Sequence, residues 1–342
     1  MAMVPVEWPL AAPAADQPVE LARARGSRRL ASVRRDFFLD PAHRLSEQER
    51  ALMTGMLHDL VDSVAGELLA AVQGANGSFA GAAGPAARLR RSGLLDRDEL
   101  VSLLLLRADE HRIAGMFAAR AGTRKLPLLP RLVGDSDAAV ASAAMALVVA
   151  RGRRRDSFGQ PRVELDDLSA GEARHLIYSV AASLAEDGAG SRAALAAAAD
   201  AVAGRHSAAN SLDSSLCGLC DALAATGRND DAMIEAAAED GEVSLLAGLL
   251  ARRAAISVDT SWGYLVGGQD GGLSLLGRLA GLGRPTAARL IAEYASLSGA
   301  SVEEEIGRFD ALPDDEVSDA LGWWRLPAGF RMASAALGGR IG

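Results

Sequence analysis

Residues 126–151 read LPLLPRLVGDSDAAVASAAMALVVAR, and this stretch decides the fold class. Leu128, Leu129 and Leu132 share one helical face behind Pro127, a residue tolerated in a first helical turn because its missing N–H is not needed there. Gly134-Asp135-Ser136-Asp137 then supplies turn chemistry and an N-cap, and Val140, Ala144, Leu147 and Val148 return at helical spacing. The unit is a helical hairpin. Its second helix contains the strongest apolar run of the chain, Ala138 to Ala150, which carries Ser142 and is too short to cross a bilayer.

Working outward, the same grammar recurs. Ser46 with Glu49, Ser169 with Glu172 and Ser301 with Glu304 fit capping boxes, and Asp96 with Glu99 is a near variant. Behind Ser46, the apolar residues Leu52, Met56, Leu60 and Val64 fall four apart, widened by Met53, Leu57 and Leu68. Further helices are predicted over 96–107, 109–121, 125–133, 136–151, 168–186, 190–204, 212–226, 229–239 and 242–255. They continue over 271–281, 284–297, 301–310 and 314–324. Ile256-Ser257-Val258 is the nearest approach to a strand.

The reading is an all-α chain whose helical hairpins stack as an α-solenoid-like array. Alanine at helix contacts lets axes approach closely without side-chain entropy loss. The expected organisation is a disordered arm over 1–36 rich in Arg, Pro and Ala, an N-terminal helix with a Gly/Ala linker over 37–91, a helical repeat domain over 92–325, and a tail over 326–342.

Composition narrows the class. The chain has 342 residues, 49% apolar and only 4% aromatic, with a formal net charge of −8, against the basic balance of a dedicated nucleic-acid domain. Of its 36 Lys and Arg residues, Lys125 alone is lysine. Two cysteines cannot build a disulfide framework. The start Met1-Ala2-Met3-Val4-Pro5 lacks a basic segment followed by an apolar one, so a cytoplasmic location is expected.

The unit at 126–151 resembles a HEAT repeat: proline early in the first helix, an acidic turn, then valine and alanine in the second. It departs at Ala141, where the family carries arginine, and at Val148, where leucine is usual. More broadly, Phe37 to Leu297 resembles an alphaproteobacterial family of unknown function with HEAT-like helices. The likeness is carried by Phe38-Leu39-Asp40, by Leu45 to Arg50 and by Leu273 to Ala280. The resemblance implies helical repeats and a binding role, and it brings no catalytic residue.

Several residues carry candidate chemistry. Met56-Leu57-His58-Asp59-Leu60 resembles the phosphoacceptor box of histidine kinases and phosphotransfer domains, with His58 as the weak acceptor candidate, although the proline usual in that box is missing. Cys217 and Cys220 have redox or metal spacing, but His206 is the only nearby further ligand, so helix packing and no metal is the reading. Arg151, Arg153, Arg154 and Arg155 put four guanidinium groups at a helix end, able to grip phosphate or carboxylate or simply to complement the helix dipole. Trp323 and Trp324 offer one ring to cap the last helices and another to a partner. The arm from Leu21 to Arg35 holds six arginines and no acid; nucleic acid or an anionic membrane surface could engage it, though neither is favoured.

No catalytic set or cofactor motif emerges, and Gly267 to Gly272 lacks the Lys-Ser/Thr of a phosphate loop. The favoured function is a non-enzymatic scaffold or regulatory adaptor for another protein. The alternatives are histidine phosphotransfer through His58, and nucleic-acid binding through the arginine patches, by analogy with HEAT-like DNA-repair glycosylases.

Overall fold

The computed structural model describes residues 45–73, 84–120, 126–267, 271–298 and 300–338. The arm, most of the Gly/Ala linker and Gly268 to Asp270 lie outside them. Among the described residues the structure is all-helical, with 16 α-helices and no strand longer than the single bridge between Arg155 and Pro161.

The first three helices are α1 (Glu47–Gln73), α2 (Pro85–Arg91) and α3 (Asp98–Arg120). Next come α4 (Leu128–Val133), α5 (Ala138–Arg153), α6 (Ala170–Glu186), α7 (Arg192–Ala203) and α8 (Leu212–Ala225). The chain continues through α9 (Asp231–Glu239), α10 (Val243–Ala254), α11 (Val258–Val266), α12 (Gly272–Leu279) and α13 (Arg284–Ser298). It ends with α14 (Val302–Ala311), α15 (Asp314–Trp324) and α16 (Ala328–Gly338).

Two apolar cores result, and the chain interleaves them. The first is built by α1, α2, the N-terminal half of α3, α6 and α7, with Leu57, Leu104, Ile177 and Leu184 fully buried. The second takes Ile113 and Phe117 from the C-terminal half of α3, then α4, α5 and α8 to α15. Thus α5 packs on α8 rather than on the next helix in sequence, because α6 and α7 leave to cover α1. Helix α3 belongs to both cores.

The deciding hairpin forms as its residues dictate. Pro127 precedes α4, and the Asp137 carboxylate accepts from the backbone N–H groups of Ala139 and Val140 at 2.9 and 3.0 Å. The Ser46 box closes in both directions: Glu49 N–H donates to Ser46 Oγ, and Ser46 N–H donates to the Glu49 carboxylate. The Ser169 box closes in one direction only. Ser169 Oγ caps Glu172 N–H at 3.4 Å, but the Glu172 carboxylate is held by Arg97, and the Ser169 N–H donates instead to Glu99. A tertiary contact has replaced a local one.

Three element boundaries differ from the sequence reading. The two helices expected over 96–107 and 109–121 are one, because Arg107 pairs with Glu110 at 2.9 Å and Arg112 with Asp109 at 3.3 Å inside the helix, so the mid-helix acids are satisfied without a turn. The strand-like Ile256-Ser257-Val258 leads into α11, capped by Ser257 Oγ accepting from Thr260 N–H at 3.2 Å. The tail expected beyond residue 326 contains α16, tied back by Arg331 donating to the Trp324 and Leu326 carbonyls.

Candidate functional site

The seam between the cores is polar. Arg107, 4% exposed, donates to Glu110 and to Asp213, both at 2.9 Å. Burial opposes its charge, yet Glu110 and Asp213 hold its pKa above the ordinary arginine value. Across the seam Arg154, also 4% exposed, forks onto Asp167 at 2.7 to 2.9 Å and donates to the carbonyls of Ala150 and Asn210. Asp167 further accepts from the Leu212 and Glu164 N–H groups. Burial pushes the Asp167 carboxyl up, but Arg154 and these two backbone donors more than reverse it, so its pKa lies below the usual carboxylate value.

After Arg154 the chain makes a short hairpin over 154–162. Arg162 N–H donates to the Arg154 carbonyl at 2.9 Å, and Asp156 Oδ1 accepts from Phe158 and Gln160 N–H, both at 2.8 Å. Gly159, at φ +79°, allows the reversal. Phe158 sits at the tip and is 86% exposed. The Arg155 guanidinium donates to the Gly159 carbonyl at 3.2 Å and, like Arg153, forms no ion pair among the described residues.

A cavity of about 680 Å³ opens where this hairpin, α3, α5, α8 and the turn between α9 and α10 meet. Its lining mixes an apolar floor that includes Leu147, Leu212 and Leu216 with arginines 107, 120, 151, 154, 155 and 162. Carboxylates come from Glu110, Glu239, Asp240, Glu242 and Glu293. Arg151 closes onto Glu242 at 2.6 Å, and Glu110 accepts from the Ser244 hydroxyl.

The arginine run is therefore divided. Arg151, Arg154 and Arg155 face this cavity, whereas Arg153 borders a second cleft of about 340 Å³ with Arg205 and His206. Arg162 borders both. His58 is exposed on α1 and lines neither, while its neighbour Asp59 lies 3.7 Å from Arg162. Trp324 donates from Nε1 to the Tyr264 hydroxyl at 3.0 Å, and Trp323 packs 6.4 Å from Phe330, so both rings lie away from the cavity. Cys217 is exposed and Cys220 buried; burial pushes the Cys220 thiol up to about 12 and raises Cys217 as well, which keeps both protonated at neutral pH. His206 donates from Nε2 to the Leu168 carbonyl at 3.0 Å, a packing role within the second cleft.

Sequence reasoning missed Phe158, because one phenylalanine in a polar turn carries no periodicity. It also missed the cavity, whose walls come from five stretches remote in sequence.

Neither the curated proteins nor the solved structures provide a match to this chain. Residues 85–316, more than half of the chain, match the family described as uncharacterised protein conserved in bacteria (DUF2336). With α2 to α14 and the whole cavity inside the matched span, the chain belongs to that bacterial family.

Proposed function

We propose that this protein is a non-enzymatic, cytoplasmic scaffold or regulatory adaptor, its helical hairpins stacked in a HEAT-like manner, that docks an acidic protein partner on the hairpin over 154–162. The observation that carries the reading is Phe158, 86% exposed on a turn fixed by Asp156, in the same short segment as Arg153 and Arg155, which are exposed and form no ion pair among the described residues. An aromatic anchor beside arginines is the composition of an interface hot spot. Met145 and Val149 on the preceding α5 are also exposed. On a chain of net charge −8, a locally cationic tip steers an acidic surface toward itself. The packing of α4 on α5, α6 on α7, α10 on α11 and α13 on α14 supports stacked hairpins.

The test is photo-cross-linking in native cells with a benzophenone amino acid at position 158 of the full chain. The reading expects one discrete adduct mapping to an acidic segment of one protein, absent with the probe at exposed position 186. Adducts no different from those at position 186 overturn it.

A further inference from the structure

The cavity at the seam of the two cores has a chemistry of its own. Its inner arginines are already committed: Arg107, Arg151 and Arg154 each hold a carboxylate at 2.6 to 2.9 Å. The outer ones are not. Arg120 reaches Glu293 only at 4.0 Å, Arg162 reaches Asp59 only at 3.7 Å, and Arg155 has a carbonyl alone. Three loosely held guanidinium groups thus border one concave space with an apolar floor. Such groups gain most from an anion able to take two parallel N–H donors, which is phosphate chemistry.

A second feature restricts the ligand. Glu239, at the end of α9, lines the same cavity, is exposed and forms no ion pair or hydrogen bond among the described residues. A bare phosphate would meet it with repulsion. A larger molecule can place its phosphate on the arginines and an amino group on Glu239. The volume, about 680 Å³, lies within the range of about 300–1,000 Å³ that small-molecule sites span.

We propose that this cavity binds a nucleotide-sized phosphate ester that also carries an amino group. Arg155 and Arg162 take the phosphate, Arg120 supplements the positive field, Glu239 accepts from the amino group, and the leucine floor covers the flat face of the base. The site shares Arg155 with the hairpin over 154–162 but not its anchor, since Phe158 does not line it.

Isothermal titration of the full chain at low salt, with AMP, adenosine, ribose 5-phosphate and inorganic phosphate, tests this. AMP is expected to bind, and each of the other three to bind at least about tenfold more weakly, because adenosine lacks the phosphate and the other two lack both the base and its amino group. The double variant Arg155→Ala/Arg162→Ala should lose about tenfold in AMP affinity while keeping its melting temperature, since both side chains are surface-accessible. Phe158→Ser should bind AMP as the unmodified chain does, which separates this site from the docking surface. AMP binding no tighter than adenosine or ribose 5-phosphate, no heat with AMP, or full AMP affinity in the double variant overturns the proposal.

Discussion

At Gly241 the backbone has φ +67°, and a Cβ built there would lie 2.5 Å from Phe117. The residue ends α9 in a Schellman arrangement, with Glu242 N–H donating to the Ala237 carbonyl at 3.0 Å and Gly241 N–H to Ala238 at 3.2 Å. Left-handed backbone and side-chain overlap both penalise any substitution, so Gly241→Ala should cost about 3 kcal/mol in urea unfolding. A loss below 1 kcal/mol would show that the turn relaxes. The arginine run separates just as sharply. Arg154→Ala strands Asp167 in the seam and should cost about 3–5 kcal/mol, whereas Arg153→Ala and Arg155→Ala should stay within about 0.5 kcal/mol. Because the folded-state pKa of Asp167 is depressed, its contribution is present above the unfolded value near pH 3.9 and is lost as pH falls below it. Asp167→Asn should therefore flatten the acid limb of the stability curve, and an unchanged limb would contradict the assigned pair.

Among the elements, α3 carries the greatest structural consequence. Leu104 and Ala108 belong to the first core, Ile113 and Phe117 to the second. Of the described tryptophans, Trp262 and Trp324 pack against the second core and Trp323 against Phe330 of α16; none packs against the first core, and Trp8 lies outside the described residues. Tryptophan fluorescence consequently follows one core and far-ultraviolet dichroism both. Their urea transitions should coincide in the unmodified chain and separate in Ala114→Pro, which breaks α3 between the cores at a cost of about 3 kcal/mol or more. Coincident transitions in that variant would mean that α3 does not couple them.

This is also the scale at which the sequence misled. Helix starts were legible because Ser, Asp and Pro act on the next three residues, as Asp137 and Ser46 do. The continuity of α3 was not, since Asp109-Glu110 has the composition of a turn and only the pairing with Arg107 and Arg112 keeps it helical.

For the whole molecule, composition foretold helices and a buried, alanine-rich packing, while the interleaving of two cores was hidden. Nothing in α6 or α7 marks them as partners of α1 rather than of α5. The seam that interleaving creates is where buried Arg107 and Arg154 lie, and where the hairpin projects Phe158. The arginine run was visible as a string of charges; its division into a buried keystone, Arg154, two further residues of the main cavity, Arg151 and Arg155, and one of the second cleft, Arg153, required the fold. The central claim is that the exposed tip is a docking anchor, and the decisive measurement is the Kd of the cross-linked partner for the unmodified chain and for Phe158→Ala. A loss of at least about 2 kcal/mol, roughly 30-fold, with the melting temperature unchanged, is the predicted result. Equal affinity of the two chains would contradict it.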